Sequence, residues 1–284
     1  MQTSISRRSP QAPDRKHPYA VASMACAALL AALHATPVRA QSSAELAKQL
    51  ANPIAALISV PFQLNYDSNI GPVEDGSRWQ LNVQPVVPMS LNADWNVISR
   101  TILPVIEQKD IVPGAGSQFG LGDTVQSFFF SPKQPTSNGV IWGIGPVLLL
   151  PTGTDDLLSA EKWGLGPTGV ALKQDGPWTY GVLFNHIWSV AGTGSRPDVS
   201  TTFLQPFLSY TTPDAWTFTL QTESTYDWEG EQWTVPLNAL VSKVVKVGDQ
   251  LVSFGAGVRY WADGPQSAPH GWGVRLVATL LFPR

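Results

Sequence analysis

Between Trp216 and Val241, apolar and polar residues alternate with a period of two, the spacing at which the side chains of a strand point to opposite faces. One set holds Trp216, Phe218, Leu220, Tyr226, Trp233, Val235, Leu237 and Val241. The other holds Thr217, Thr219, Gln221, Glu223, Thr225, Asp227, Thr234 and Asn238, and Thr222 and Ser224 are small exceptions on the apolar side. Glu229-Gly230-Glu231 joins the two runs, so the pattern predicts a hairpin. Its arms are about ten residues or more, against about five or six in a globular strand and about nine to eleven in a tilted membrane-crossing strand. Tryptophan stands at both ends of the first arm and at the start of the second, where amphipathic rings settle at a lipid–water boundary. A soluble barrel would turn the apolar set inward; a membrane barrel turns it outward.

The same period recurs along the chain. Ile58, Val60, Phe62, Leu64 and Tyr66 alternate with Ser59, Pro61, Gln63, Asn65 and Asp67. After a polar loop at Ser68–Ser77, Trp79, Leu81, Val83 and Val87 alternate with Gln80, Asn82 and Gln84. Further strands are predicted near 95–106, 121–131, 140–151, 163–173, 178–191, 200–211, 216–228, 232–242, 250–262 and 271–282, about twelve in all, an even number as in bacterial single-chain barrels. Alternation is poor near 121–131 and 163–173. The connections themselves alternate: tight ones such as Ser90–Asp94, Gln174–Pro177, Thr212–Asp214 and Lys246–Asp249 take turns with longer, glycine- or charge-rich ones. Short periplasmic turns and long outer loops have this asymmetry, which places Gln108–Gly120 outside and Gln174–Pro177 in the periplasm. All eleven Trp fall near predicted strand ends, with Trp95, Trp142, Trp178 and Trp216 at one rim and the rest at the other. Against the pattern stand Pro61, Pro85, Pro104, Pro146, Pro167, Pro206 and Pro236, inside strands where proline removes a ladder donor; bulges are the expected remedy. The predicted fold is all-β: a transmembrane antiparallel up-and-down β-barrel spanning 57–284, preceded by a short N-terminal helix.

That helix is read over 43–51, within a segment 41–56. Ser42-Ser43-Ala44-Glu45 has capping-box character, Leu46, Leu50 and Ile54 follow at a spacing of four, and Asn52-Pro53 stops it. It is either a partial plug in the periplasmic mouth or a frayed lead-in. Residues 1–40 read as a signal peptide: Arg7, Arg8, Arg15 and Lys16, then the apolar run Ala20–Leu33, then Val38-Arg39-Ala40 as the cleavage site. Export to the outer membrane follows, with outer-membrane lipid, lipopolysaccharide and the barrel-assembly machinery as the expected partners. Cys26 lies in the leader, so the mature chain has no disulfide, thiolate nucleophile or Cys-bound metal. Charged residues make up 14% of the chain and the net charge is −3, with no basic tract beyond the leader to hold nucleic acid.

Six runs then carry a resemblance: Gly120-Leu-Gly-Asp123, Asn185-His-Ile-Trp-Ser-Val-Ala-Gly192, Phe203-Leu-Gln-Pro-Phe-Leu-Ser-Tyr-Thr-Thr212, Ser224-Thr-Tyr-Asp-Trp228, Gly255-Ala-Gly-Val-Arg-Tyr-Trp261 and Gly271-Trp-Gly-Val-Arg-Leu276. Together they resemble a family of Gram-negative outer-membrane transporters grouped with the MetA-pathway-of-phenol-degradation proteins and often labelled "neuromedin U". The likeness covers nearly the whole mature chain. It implies an outer-membrane barrel that passes small, often hydrophobic or aromatic, compounds, and it carries no catalytic residues. The ending Leu281-Phe282-Pro283-Arg284 departs from the terminal aromatic usual in outer-membrane proteins.

Candidate chemistry is sparse. His186 lies on a strand and His270 in a loop, and no clustered ligand set or cofactor motif accompanies them. A Ser/His/Asn lipid hydrolase is the sharpest enzymatic rival, but Asn185-His186 lacks the motif. Asp155, Asp156 and Glu161 form a solvated acidic loop, or a weak site bridging divalent ions to lipopolysaccharide. The Gly-x-Gly pairs at 143/145, 164/166 and 255/257 precede no helix and mark close backbone approach. Function is expected in the lumen, where Arg100, Asp123, Gln221, Glu223, Asp227, Arg259 and Arg275 fall on or near the polar set. Buried charges pair, so mixed signs predict a laced lumen without strong ion preference. Twelve strands lie between a filled barrel and an open porin, giving a narrow or gated path for a small-molecule substrate. The alternative reading is a structural or adhesive barrel with a plugged lumen.

Overall fold

The computed structural model describes residues 42–283; the expected leader and cleavage site lie outside them. Fifteen strand segments make one antiparallel sheet, and three strands are split in two, leaving twelve. They are β1 (Ile58–Ile70), β2 (Gly76–Val83 and Val86–Ser90), β3 (Trp95–Lys109), β4 (Ser117–Leu121 and Thr124–Pro132), β5 (Val140–Leu150) and β6 (Lys162–Asp175). β7 (Trp178–Gly192), β8 (Ser200–Thr211), β9 (Trp216–Thr222 and Ser224–Asp227), β10 (Gln232–Val247), β11 (Gln250–Asp263) and β12 (Gly271–Phe282) complete the set. Each pairs with its sequence neighbours, and β12 returns to β1 in the register Ile58↔Phe282 to Tyr66↔Val274, closing the barrel.

Closure removes free edges, and the alternation decides which face meets what. Leu220 is 60% exposed and Trp272 65%, and Phe254, Val258, Val274 and Leu276 also lie open on the outer face. Asn65, Asp67, Thr217, Asn238, Arg259, Arg275 and Thr279 on the inner face are buried. This inversion of a soluble protein is the signature of a lipid-facing barrel. Polar groups caught on the outer face satisfy one another: Thr222 and Ser224 hydroxyls lie 2.7 Å apart, and Gln126 bonds Thr101 and Ser99. Tryptophans pair at the rims, Trp95 with Trp142 at one end, Tyr226 with Trp228 and Trp233 at the other. Trp261 corrects the expected girdle, since it turns inward and donates from Nε1 to Asp67 at 2.8 Å.

The seven prolines that the sequence pattern placed inside strands all border gaps in the ladder, while Pro88 and Pro132 also stand in strands, Pro88 paired with Ile98 and Pro132 with Trp95. Pro61 and Pro85 flank the split in β2, Pro104 faces the split in β4, and Pro206 and Pro236 stand on either side of the split in β9. Pro146 and Pro167 border interruptions between β4 and β5 and between β6 and β7. The missing donors therefore fall where no acceptor awaits them. Proline carbonyls still accept at 2.9 Å from Gln84 and Gly122 N–H. Beside the last two prolines, a Cβ at Gly145 would strike the Phe128 carbonyl and one at Gly166 the His186 carbonyl, so the backbones pass too closely for any side chain. The split in β4 shifts the faces by one residue. Leu121 points out before it and Phe128 and Phe130 after it, while Phe129 between them is buried in the lumen. This explains the uneven alternation near 121–131.

The tight turns and both strand termini lie at one mouth, and α1 (Ser43–Leu50) closes it. Ser42 Oγ accepts from Glu45 N–H at 3.1 Å, and Asn52 Oδ1 from Ile54 N–H at 3.0 Å just past the helix end. Leu46 is fully buried with Ala47 and Leu57 against the inward residues Val244 and Leu281 and the turn residue Ala215. Ile54 packs in a second cluster with Ile98, Phe129, Val170, Leu172 and Leu183. Burying each large aliphatic is worth about 1.5–3 kcal/mol, so the segment is a fixed plug and the lead-in alternative falls away.

Leu220→Arg should cost about 2–4 kcal/mol, the cost of a lipid-facing arginine near the midplane, and Gln221→Arg far less. Reversible urea unfolding in phospholipid vesicles measures both; equal losses would contradict the assignment of faces.

Candidate functional site

The lumen gathers charges from six strands. Arg275 on β12 clamps Glu223 on β9 with two parallel bonds, Nη1–Oε1 at 2.8 Å and Nη2–Oε2 at 2.7 Å, while its Nε donates to Asn65 on β1 at 2.7 Å. These strands are not neighbours, so the fork reaches across β10 and β11. Arg275 faces Gly257 in the ladder, which leaves that part of the wall without a side chain. Glu223 occupies the split in β9, and Gln221 Nε2 donates to its Oε1 at 3.1 Å.

A second pair stands nearer the long-loop mouth. Arg259 on β11 donates to Asp67 on β1 at 3.0 Å, and the Trp261 ring lies beneath its guanidinium, 4.6 Å from centroid to Cζ. Arg78 on β2 donates to Gln108 on β3, which bonds in turn to Gln118 and to the Leu157 carbonyl of the loop 151–161. Arg100 on β3 makes one side-chain bond among the described residues, to Gln84 Oε1 at 3.2 Å. Four arginines thus face two carboxylates, Asp67 and Glu223, in this cluster, an excess of two positive charges.

Of the residues expected in the lumen, Arg100, Gln221, Glu223, Arg259 and Arg275 come together. Asp123 does not join them. It sits at the split in β4 and accepts from Gly153 N–H, Ser159 Oγ–H and Ala160 N–H, holding the loop 151–161 against the wall. Asp227 stays on the inner face but at the exposed rim, accepting from Glu229 N–H at 3.0 Å. Asp67, Arg78 and Gln84 were missed as site residues. Their signal was their parity with Asn65, Gln80 and Asn82, read as strand pattern without being carried to the site.

The acidic loop is tied by cations. Arg196 bonds Glu161 at 3.0 Å and the Asp156 carbonyl; Lys162 bonds Asp198 at 3.0 Å. The Arg196 hydrogen bond holds the Glu161 carboxyl below its usual range, and the Lys162 bond does the same for Asp198. Both carboxylates are engaged in loop closure, and no group of potential metal ligands occurs among the described residues.

His186 tests the enzymatic rival. On the outer face, its Nδ1 lies 2.7 Å from Thr202 Oγ1, which also accepts from Trp228 Nε1. Its Nε2 is buried without a partner. No carboxylate or amide meets either ring nitrogen among the described residues, so a hydrolase's Ser/His/Asn set is not assembled at His186.

Between the plug and the Glu223–Arg275 clamp lies a cavity of about 260 Å³, bordered by Leu50, Pro53, Arg100, Phe207, Gln221 and Glu223, among others. No family model matches the sequence, and no curated protein sequence matches it. In structure the chain is similar to an outer membrane channel from Pseudomonas putida F1, with 12% identity and a TM-score of 0.62 over 80% of this chain and 96% of that one. It is less similar to outer membrane phospholipase A from Escherichia coli, with 11% identity and a TM-score of 0.47 over 79% and 90% of the two chains. At such identities the likeness concerns the fold.

Glu223→Gln should cost about 3–5 kcal/mol in unfolding free energy, because it strands Arg275 as an unpaired buried charge. Adding Arg275→Met should recover part of that loss. A loss below about 1 kcal/mol, typical of exposed ion pairs, would show that water screens the pair.

Proposed function

We propose that this barrel is an outer-membrane channel for the passive passage of small molecules. The observation that carries the reading is the lumen itself: a cavity lined by charged and amide side chains above a separate N-terminal plug, inside a wall whose outer face is apolar. A purely structural barrel of this size would be expected to fill its interior with packed side chains. Similarity to the Pseudomonas putida channel supports the fold on which the reading stands. The sequence resemblance to the outer-membrane transporter family extends the proposal to small hydrophobic or aromatic solutes. Outer-membrane residence, after cleavage near Ala40, belongs to the same proposal, with the short-turn mouth facing the periplasm.

The two-charge excess of arginine refines the expectation of an unselective lumen. It favours anions weakly, because two of the four cations are cancelled and salt screens the remainder over about 8–10 Å.

The mature protein should give discrete, mildly anion-selective openings in planar lipid bilayers. Removing residues 42–56 should raise the unit conductance several-fold. Silence of both forms in bilayers that pass a control porin would contradict the channel and favour the structural or adhesive barrel.

A further inference from the structure

Arg100 stands apart from the other luminal arginines. Arg275 and Arg259 each hold a carboxylate, and Arg78 is built into an amide chain that ends on a loop carbonyl. Arg100 spends one of its five N–H donors, on a neutral amide oxygen. Its side chain borders the cavity above the plug. Glu223 borders the same space, but both its oxygens are committed to Arg275 and one accepts from Gln221 as well. The cavity therefore presents one guanidinium with free donors and no carboxylate bonded to it among the described residues. Among hydroxyl and amide side chains, the lining also carries an apolar set: Leu50, Ala51 and Pro53 from the plug, and Val86, which pairs with Arg100 in the ladder, Phe207 and Leu240 from the wall.

A planar fork beside an apolar floor has a specific complement. The guanidinium pairs with a carboxylate through two parallel N–H···O bonds. The floor covers an uncharged tail, which a simple inorganic anion lacks. Pockets for drug-sized ligands run from about 300 to 1,000 Å³, so a cavity of about 260 Å³ takes something smaller. We infer that the cavity is a binding site for a small monocarboxylate with a short apolar body, held by Arg100 through its carboxylate and by the plug and Phe207 through its tail. The inference rests on the channel reading in that it names the class of solute that pauses there. The site itself lies within the closed barrel and is complete without an open path.

This makes the plug part of the site as well as part of the closure. Leu50, Ala51 and Pro53 belong to its apolar lining, so a bound carboxylate touches the segment that closes the short-turn mouth.

The test is calorimetric titration of the folded, full mature barrel in detergent micelles with sodium butyrate at constant ionic strength, beside 1-butanol and sodium chloride. Saturable heat is expected for butyrate, with none for butanol or chloride. Arg100→Gln should weaken butyrate binding about tenfold or more, the worth of a charge-assisted hydrogen bond, and Arg100→Lys should fall between. Ser242→Leu keeps Arg100 but fills the cavity, and should abolish binding; it stands as the test if Arg100→Gln does not fold. No saturable binding, equal binding of chloride, or unchanged affinity in a folded variant would overturn the site. Because the readout is equilibrium binding, a silent bilayer recording would remove the channel reading and leave this result standing.

Discussion

Hydrocarbon offers no hydrogen bonds, so every backbone N–H and C=O within the membrane must find its partner in the protein. Closure of β12 on β1 meets that demand, and much of the rest follows from it. Once the ladder is closed, a proline inside a strand is tolerable where the ladder is already interrupted, and the seven prolines that the alternation placed inside strands sit at such places. The interruptions have uses. The split in β9 brings Glu223 into the lumen, and the split in β4 places Asp123 where it can gather the loop 151–161. The same shift carries Phe129 inside to meet the plug segment at Ile54.

The inner face obeys a second constraint. A buried charge without a partner is costly, so Glu223 and Asp67 are each met by an arginine from a distant strand. Such pairs across the lumen, with Asn65 and Gln221 as accessories, narrow the path and fix its shape. The plug is held differently, by aliphatic burial around Leu46, Leu57 and Ile54 and by the bond from Gln174 to the Lys48 carbonyl. A barrel built this way has a charged waist and a separate apolar stopper.

Much of this was legible in the sequence because strand parity is strict. The hairpin 216–241, the twelve strands and the lipid-facing set can be read from a period of two. Tryptophan placement agrees at ten of eleven positions, with Trp261 turned inward by its bond to Asp67. Parity also put Arg100, Gln221, Glu223, Arg259 and Arg275 together. It could not reveal which arginine meets which carboxylate, since those pairings join strands far apart in the chain. Alternation failed where a split moves the register, as between Leu121 and Thr124, and where glycine leaves a face blank, as at Gly143, Gly145, Gly164 and Gly166. The seven prolines read as obstacles, because a ladder gap is a property of two strands and no single strand displays it. The helix was visible from its cap and spacing; its role needed the inward faces of β10 and β12.

The inverted alternation is the claim on which the account stands, and cysteine scanning of β9 reads it most directly. The chain carries no cysteine beyond Cys26, so the described residues have none. Single cysteines at 217–222, probed with a small charged thiosulfonate in lipid vesicles, should react at positions 217, 219 and 221, which border the luminal cavity. Positions 218, 220 and 222 should stay protected by lipid. Uniform reactivity, or modification at 218 and 220 with protection at 219 and 221, would contradict the account.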